Sequence, residues 1–118
     1  MPLKPTEQRH LRAAIGYCDL EMYEEGSAEL EQIHSLHRYI PDVLIVRLNI
    51  HRHLEAWEQM RIAALCLTKQ FPCDPQWISQ LAYATRRTVG VEAAIFLLQD
   101  GAERFEKDAL IRYNLACY

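Results

Sequence analysis

His34 and His37 stand three residues apart, with Glu31 three residues before the first of them. On a helix this spacing would set two imidazoles and a carboxylate on one face, and zinc takes such ligands. The neighbouring Glu, Ser, His and Arg side chains read better as a solvated face, so no metal site is expected there. His51 and His53 are two apart, which on a helix points them in different directions, and they form no joint site by themselves. Tyr83 and Arg87 are four apart and share a helix face. An amphipathic ring beside a guanidinium can pair with a carboxylate, and binding hot spots favour these residue types.

Catalytic constellations are missing from the sequence. No Ser-His-Asp or Cys-His arrangement can be placed, and the chain's 4 glycines form no phosphate-cradling loop. Asp19, Glu21, Glu24 and Glu25 read as exposed helix and loop charge. The chain is expected to be noncatalytic and to carry no cofactor.

Composition narrows the partners. Charged residues make up 25% of the chain and the net charge is −3, so no basic field draws it to nucleic acid or to an anionic membrane surface. Hydrophobic residues account for 50% of the 118, enough for one core without staples. Cys18, Cys66, Cys73 and Cys117 include no C-x-x-C pair and read as buried thiols, small core hydrophobes. The start, Met1-Pro2-Leu3-Lys4-Pro5, has no apolar signal core, and no stretch approaches the roughly 20 apolar residues that span a bilayer. A cytoplasmic protein is the expectation.

The elements that would position these residues repeat. Trp57, Met60, Ala64, Leu67 and Phe71 return 34 positions later as Val91, Ala94, Leu98, Gly101 and Phe105. Pro41 returns as Pro75, Asp74 as Asp108, and Leu81-Ala82 as Leu115-Ala116, all at the same spacing. A plain helical bundle explains the apolar stripes but not the shared period.

Taken in order, residues 1–6 read as an arm, with Thr6 capping a helix from about 7 to 23 whose apolar face is Leu11, Ala14, Ile15, Cys18 and Met22. Gly26 suits a left-handed turn and Ser27 the next cap. Leu30, Ile33, Leu36 and Ile40 then form the inner stripe of a second helix ended by Pro41. Asp42 caps a third, Val43 to about His53, despite a β-branched opening that by propensity alone suits a strand. Further helices are expected from Trp57 to about Gln70, Pro75 to about Thr88, Val91 to about Phe105, and from Ala109 onward. Phe71-Pro72-Cys73-Asp74-Pro75 is the clearest punctuation: Pro72 stops one helix, Asp74 caps the next, and Pro75 needs no N–H in the first turn.

A 34-residue period of paired helices resembles the tetratricopeptide repeat family over roughly residues 7–118. Trp57, Met60 and Pro72 stand at the expected kinds of position in a second repeat, Leu81-Ala82 and Ala94 in a third, and Tyr113-Asn114-Leu115-Ala116 opens a fourth. The resemblance implies an all-α fold, antiparallel helix pairs stacked as a right-handed superhelix. Its repeats would be 7–40, 41–74 and 75–108, with a partial one at 109–118.

What the resemblance implies for function is a protein-protein interaction scaffold that binds a peptide or partner helix on the concave face, lined by the first helices. The partner-binding residues would then be Asn49, Arg52, Gln80, Tyr83, Arg87 and Asn114. Some family members grip acidic chaperone tails with bases from successive first helices. Here the series Val46, Gln80, Asn114 and Asp42, Gln76, Leu110 supply no base, so that activity is not expected. Trp57 is expected to be buried between repeats. Leu110, Leu115 and Tyr118 would be left uncovered on the last helix, which suggests a fragment of a longer chain or self-association through 109–118.

Overall fold

In the computed structural model, which describes residues 3–118, the chain forms α1 (Pro5–Asp19), α2 (Tyr23–Leu30), α3 (Pro41–His53), α4 (Trp57–Gln70), α5 (Pro75–Thr88), α6 (Val91–Arg104) and α7 (Ala109–Cys117). No strand occurs among the described residues. The β-branched opening of α3 is helical because Val43 and Leu44 are buried, and burial outweighs a weak local preference. Starts recur at the predicted spacing: Tyr23, Trp57 and Val91 open α2, α4 and α6, and Pro41, Pro75 and Ala109 open α3, α5 and α7.

The chain divides into two compact units, Met1–Ala56 and Trp57–Tyr118. In the first, α1 packs on α2 and both meet α3 around Leu11, Ala14, Leu30, Ile33, Val43 and Ile50. In the second, α4 packs on α5, α5 on α6, and α7 on both α5 and α6. Ile78, Ala82, Ala94, Leu98 and Ile111 form its core.

Prolines and aspartates set the later boundaries as expected. Asp74 Oδ1 accepts from the Gln76 N–H at 3.1 Å, and Asp108 Oδ1 from the Ile111 N–H at 2.9 Å. The first 56 residues differ from expectation. Lys4, not Thr6, is the N-cap of α1, with Pro5 as its first helical residue. Ile40 rather than Asp42 precedes α3, so Pro41 opens that helix instead of closing the previous one.

Gly26 and Ser27 lie inside α2, not at a turn. A Cβ at Gly26 would stand 3.3 Å from the Ala14 carbonyl oxygen and 3.3 Å from Ile50 Cδ1, so the glycine answers to crowding. α2 ends at Leu30, and the stripe continued to Ile40 breaks down: Ile33 is buried but Leu36 is 78% exposed, in the middle of a single 3₁₀ turn, Ser35–His37. Ile15 and Met22 are also exposed, and none of the cysteines expected in the core is fully buried: Cys18 and Cys66 are half-buried, and Cys73, in the corner after α4, and Cys117, at the end of α7, are exposed.

The real corner after α1 is Leu20–Met22. Glu21 has φ 59° there, and Glu55, 34 residues later in the corner after α3, has φ 57°. Met22 N–H donates to the Tyr17 carbonyl and Ala56 N–H to that of His51, both at 2.8 Å, closing the same left-handed helix end twice. After α5 the equivalent Gly90 N–H donates to the Thr85 carbonyl, but Val89 keeps φ −105° and Gly90 takes the positive φ. A β-branched residue tolerates the left-handed region poorly.

Glu in that region costs about 1–2 kcal/mol, part of which glycine returns as unfolded-state entropy. Glu55→Gly is therefore expected to raise stability by roughly 0.5–1 kcal/mol in chemical denaturation. An unchanged or lower stability would count against the strain.

Candidate functional site

α4 and α5 build the most ligand-like surface. Trp57 opens α4, while Tyr83 and Arg87 lie one turn apart near the end of α5. The Trp57 and Tyr83 rings meet edge-on with centroids 5.5 Å apart. The Arg87 guanidinium sits 5.1 Å from the Trp57 centroid and 5.6 Å from that of Tyr83, and its Nη2 donates a long hydrogen bond, 3.4 Å, to the Tyr83 hydroxyl. Arg87 is exposed, and among the described residues no carboxylate pairs with it. Two rings thus flank an exposed cation.

Trp57 is half-buried in this cluster rather than fully buried. Sequence reasoning assigned it to the core, whereas Tyr83 and Arg87 were legible from their spacing. A signal for Trp57 existed in the same period. Tyr23 and His53, each 34 residues before Trp57 and Arg87, stack with centroids 4.2 Å apart and planes 9° from parallel. An aromatic at a helix start and a basic side chain at the end of the next helix form a recurring pair.

The other expected residues are dispersed. Gln80 is half-buried on α5 and Asn114 half-buried on α7, both in the second unit. Arg52 is exposed on α3. Asn49 is exposed on α3 near the Cys18 thiol, whose pKa burial pushes up and the Asn49 amide draws partly back. Arg86, next to Arg87, turns to the Tyr118 ring, 4.8 Å away. Leu115 and Tyr118 pack beside the second core rather than standing open.

Glu31, His34 and His37 do not share a helix face, because α2 ends before them. Glu31 turns to Arg38 and Arg47, and His34 Nδ1 accepts from the Leu36 N–H at 3.1 Å. His37 is buried against Glu7, its Nδ1 2.7 Å from Oε2. Among the described residues no three His, Cys, Asp or Glu side chains gather as a metal site. His51 is half-buried, and burial followed by the nearby Arg47 holds its pKa down, while Glu31 opposes the shift.

Glu7 is the hub of that region. Only 6% exposed, it accepts from His37 and from the Lys4 and His34 backbone N–H groups, each at 3.0 Å. The His37 bond leads these in lowering its pKa from 4.5 to about 2, against desolvation. A carboxyl depressed in the folded state contributes stability above its unfolded pKa and loses it as pH falls through the folded value. Folding is thus expected to weaken progressively between pH 4.5 and about 2 through this group. Glu7→Gln should lower stability at neutral pH and flatten acid unfolding in that window; a variant with the parent's acid profile would refute the assignment.

No helix among the described residues is long and apolar enough to cross a membrane. No family model matches the chain, nor does any curated protein or solved structure.

Proposed function

We propose that the chain is a noncatalytic protein-interaction module, built from tetratricopeptide-like helix pairs, that takes an acidic peptide or partner helix at Trp57, Tyr83 and Arg87. The observation that carries this reading is Arg87: exposed, held over two rings and without a carboxylate partner among the described residues. A cation fixed in this way loses little side-chain entropy on pairing, and Trp, Tyr and Arg are the residues that dominate binding energy.

The recurring helix starts support the repeat reading, in which such pairs stack as a right-handed superhelix. Gln80 on the same helix and Asn114 on α7 would extend the surface, and Arg52 is the exposed candidate in the first unit. With four cysteines as free thiols, two of them exposed, the reading assigns a reducing, cytoplasmic setting.

Affinity capture with the parent chain and a Tyr83→Ala/Arg87→Glu variant, identified by mass spectrometry and repeated with acidic peptides from the captured proteins, tests it. Affinity should fall at least tenfold in a variant with unchanged helicity, and Trp57 fluorescence in a Trp77→Phe background should respond to the peptide. Equal binding by both chains would remove the site.

A second reading is self-association through α7, favoured by Leu110 and Tyr113, three apart on that helix and 52% and 67% exposed. Sedimentation should then show a dimer that Leu110→Glu dissociates. A monomer over a wide concentration range would dismiss it.

A further inference from the structure

Glu31, Arg38, Arg47 and His51 form a second polar cluster, wholly within the first unit. Arg47, on α3, has a side chain only 15% exposed, and its Nη1 lies 3.5 Å from Glu31 Oε1. Arg38, just past the 3₁₀ turn, donates from Nη2 to Glu31 Oε2 at 3.0 Å. One half-exposed carboxylate therefore faces two guanidiniums.

The remaining donors are unanswered. Arg47 Nε and Nη2, Arg38 Nε and His51 Nδ1 are all closed to solvent and without a hydrogen-bond partner among the described residues. His51 stands one turn beyond Arg47 on α3. Buried polar atoms are almost always satisfied, and a guanidinium cannot escape by losing its proton. The Nε–Nη2 edge is also one of the forked edges that grip two oxygens of a carboxylate or phosphate at once. Two fixed positive charges against one carboxylate leave the cluster short of one oxyanion.

We propose that Arg47 and Arg38 form a binding site for an oxyanion, a carboxylate or phosphate group, and that Glu31 is its internal placeholder. Glu31, with half its side-chain surface in water, is the cluster's exposed side and the group an incoming oxyanion displaces. The displaced carboxylate moves into solvent, while the ligand takes the unused Arg47 edge and the Arg38 guanidinium. His51, kept toward its neutral form by burial and by Arg47, can lend a ring N–H without adding charge. This site goes beyond the aromatic surface of α4 and α5 and shares no residue with it.

The test is a titration of the full chain with inorganic phosphate and, separately, with acetate at constant ionic strength, read by arginine Nε–Hε resonances. Saturation in which the Arg47 signal moves supports the site, and the arm that saturates names the chemistry. Glu31→Gln should bind at least threefold more tightly, because the competitor is gone. Arg47→Lys, which keeps the charge and loses the fork, should bind at least tenfold more weakly while retaining helicity. A lack of saturation by either anion in both the parent and the Glu31→Gln chain would overturn the proposal, whether or not Arg47→Lys folds. So would undiminished binding by folded Arg47→Lys.

Discussion

Within each unit, the helices joined by turns of two or three residues, α1 with α2 and α5 with α6, pass close to one another, and they do so where neither carries bulk. Ala14 on α1 and Gly26 on α2 meet this condition in the first unit, where even a methyl on the glycine would press on the Ala14 carbonyl. In the second unit Ala82 on α5 and Ala94 on α6 stand 68 positions after them, both fully buried. Close approach at these points lets Leu11 and Leu30, or Ile78 and Leu98, share one core. Packing of this density leaves little room for an added methylene.

The same constraint explains what sequence could and could not give. Helix spans from Trp57 onward were legible because Pro72, Asp74, Pro75 and Asp108 act locally, through missing N–H groups or side-chain caps. Gly26 was misread because a glycine that relieves crowding looks the same in one dimension as a glycine that turns a chain. Residues 31–40 escaped for another reason. They are held by Glu7, 27 and 30 positions away from His34 and His37, and no local pattern encodes that bond.

The candidate site divides in the same way. Tyr83 and Arg87 lie on one helix, so their juxtaposition follows from helical geometry alone. Trp57 joins them from another helix, and its burial depends on where α5 places that guanidinium. Tyr23 and His53, 34 positions before Trp57 and Arg87, also meet, as a parallel stack. Asn49, by contrast, sits on the expected helix but near the Cys18 thiol, a neighbour that side-chain chemistry alone did not foretell.

The Trp57 and Arg87 contact has a mechanical side. It fastens the start of α4 to the end of α5, so the guanidinium that would greet a ligand is also a rivet. A carboxylate that met Arg87 where the rings hold it would gain a partner and leave the joint closed. Occupancy at such a surface would be felt as stiffness, with the same two rings bearing both the ligand's pull and the seam between α4 and α5.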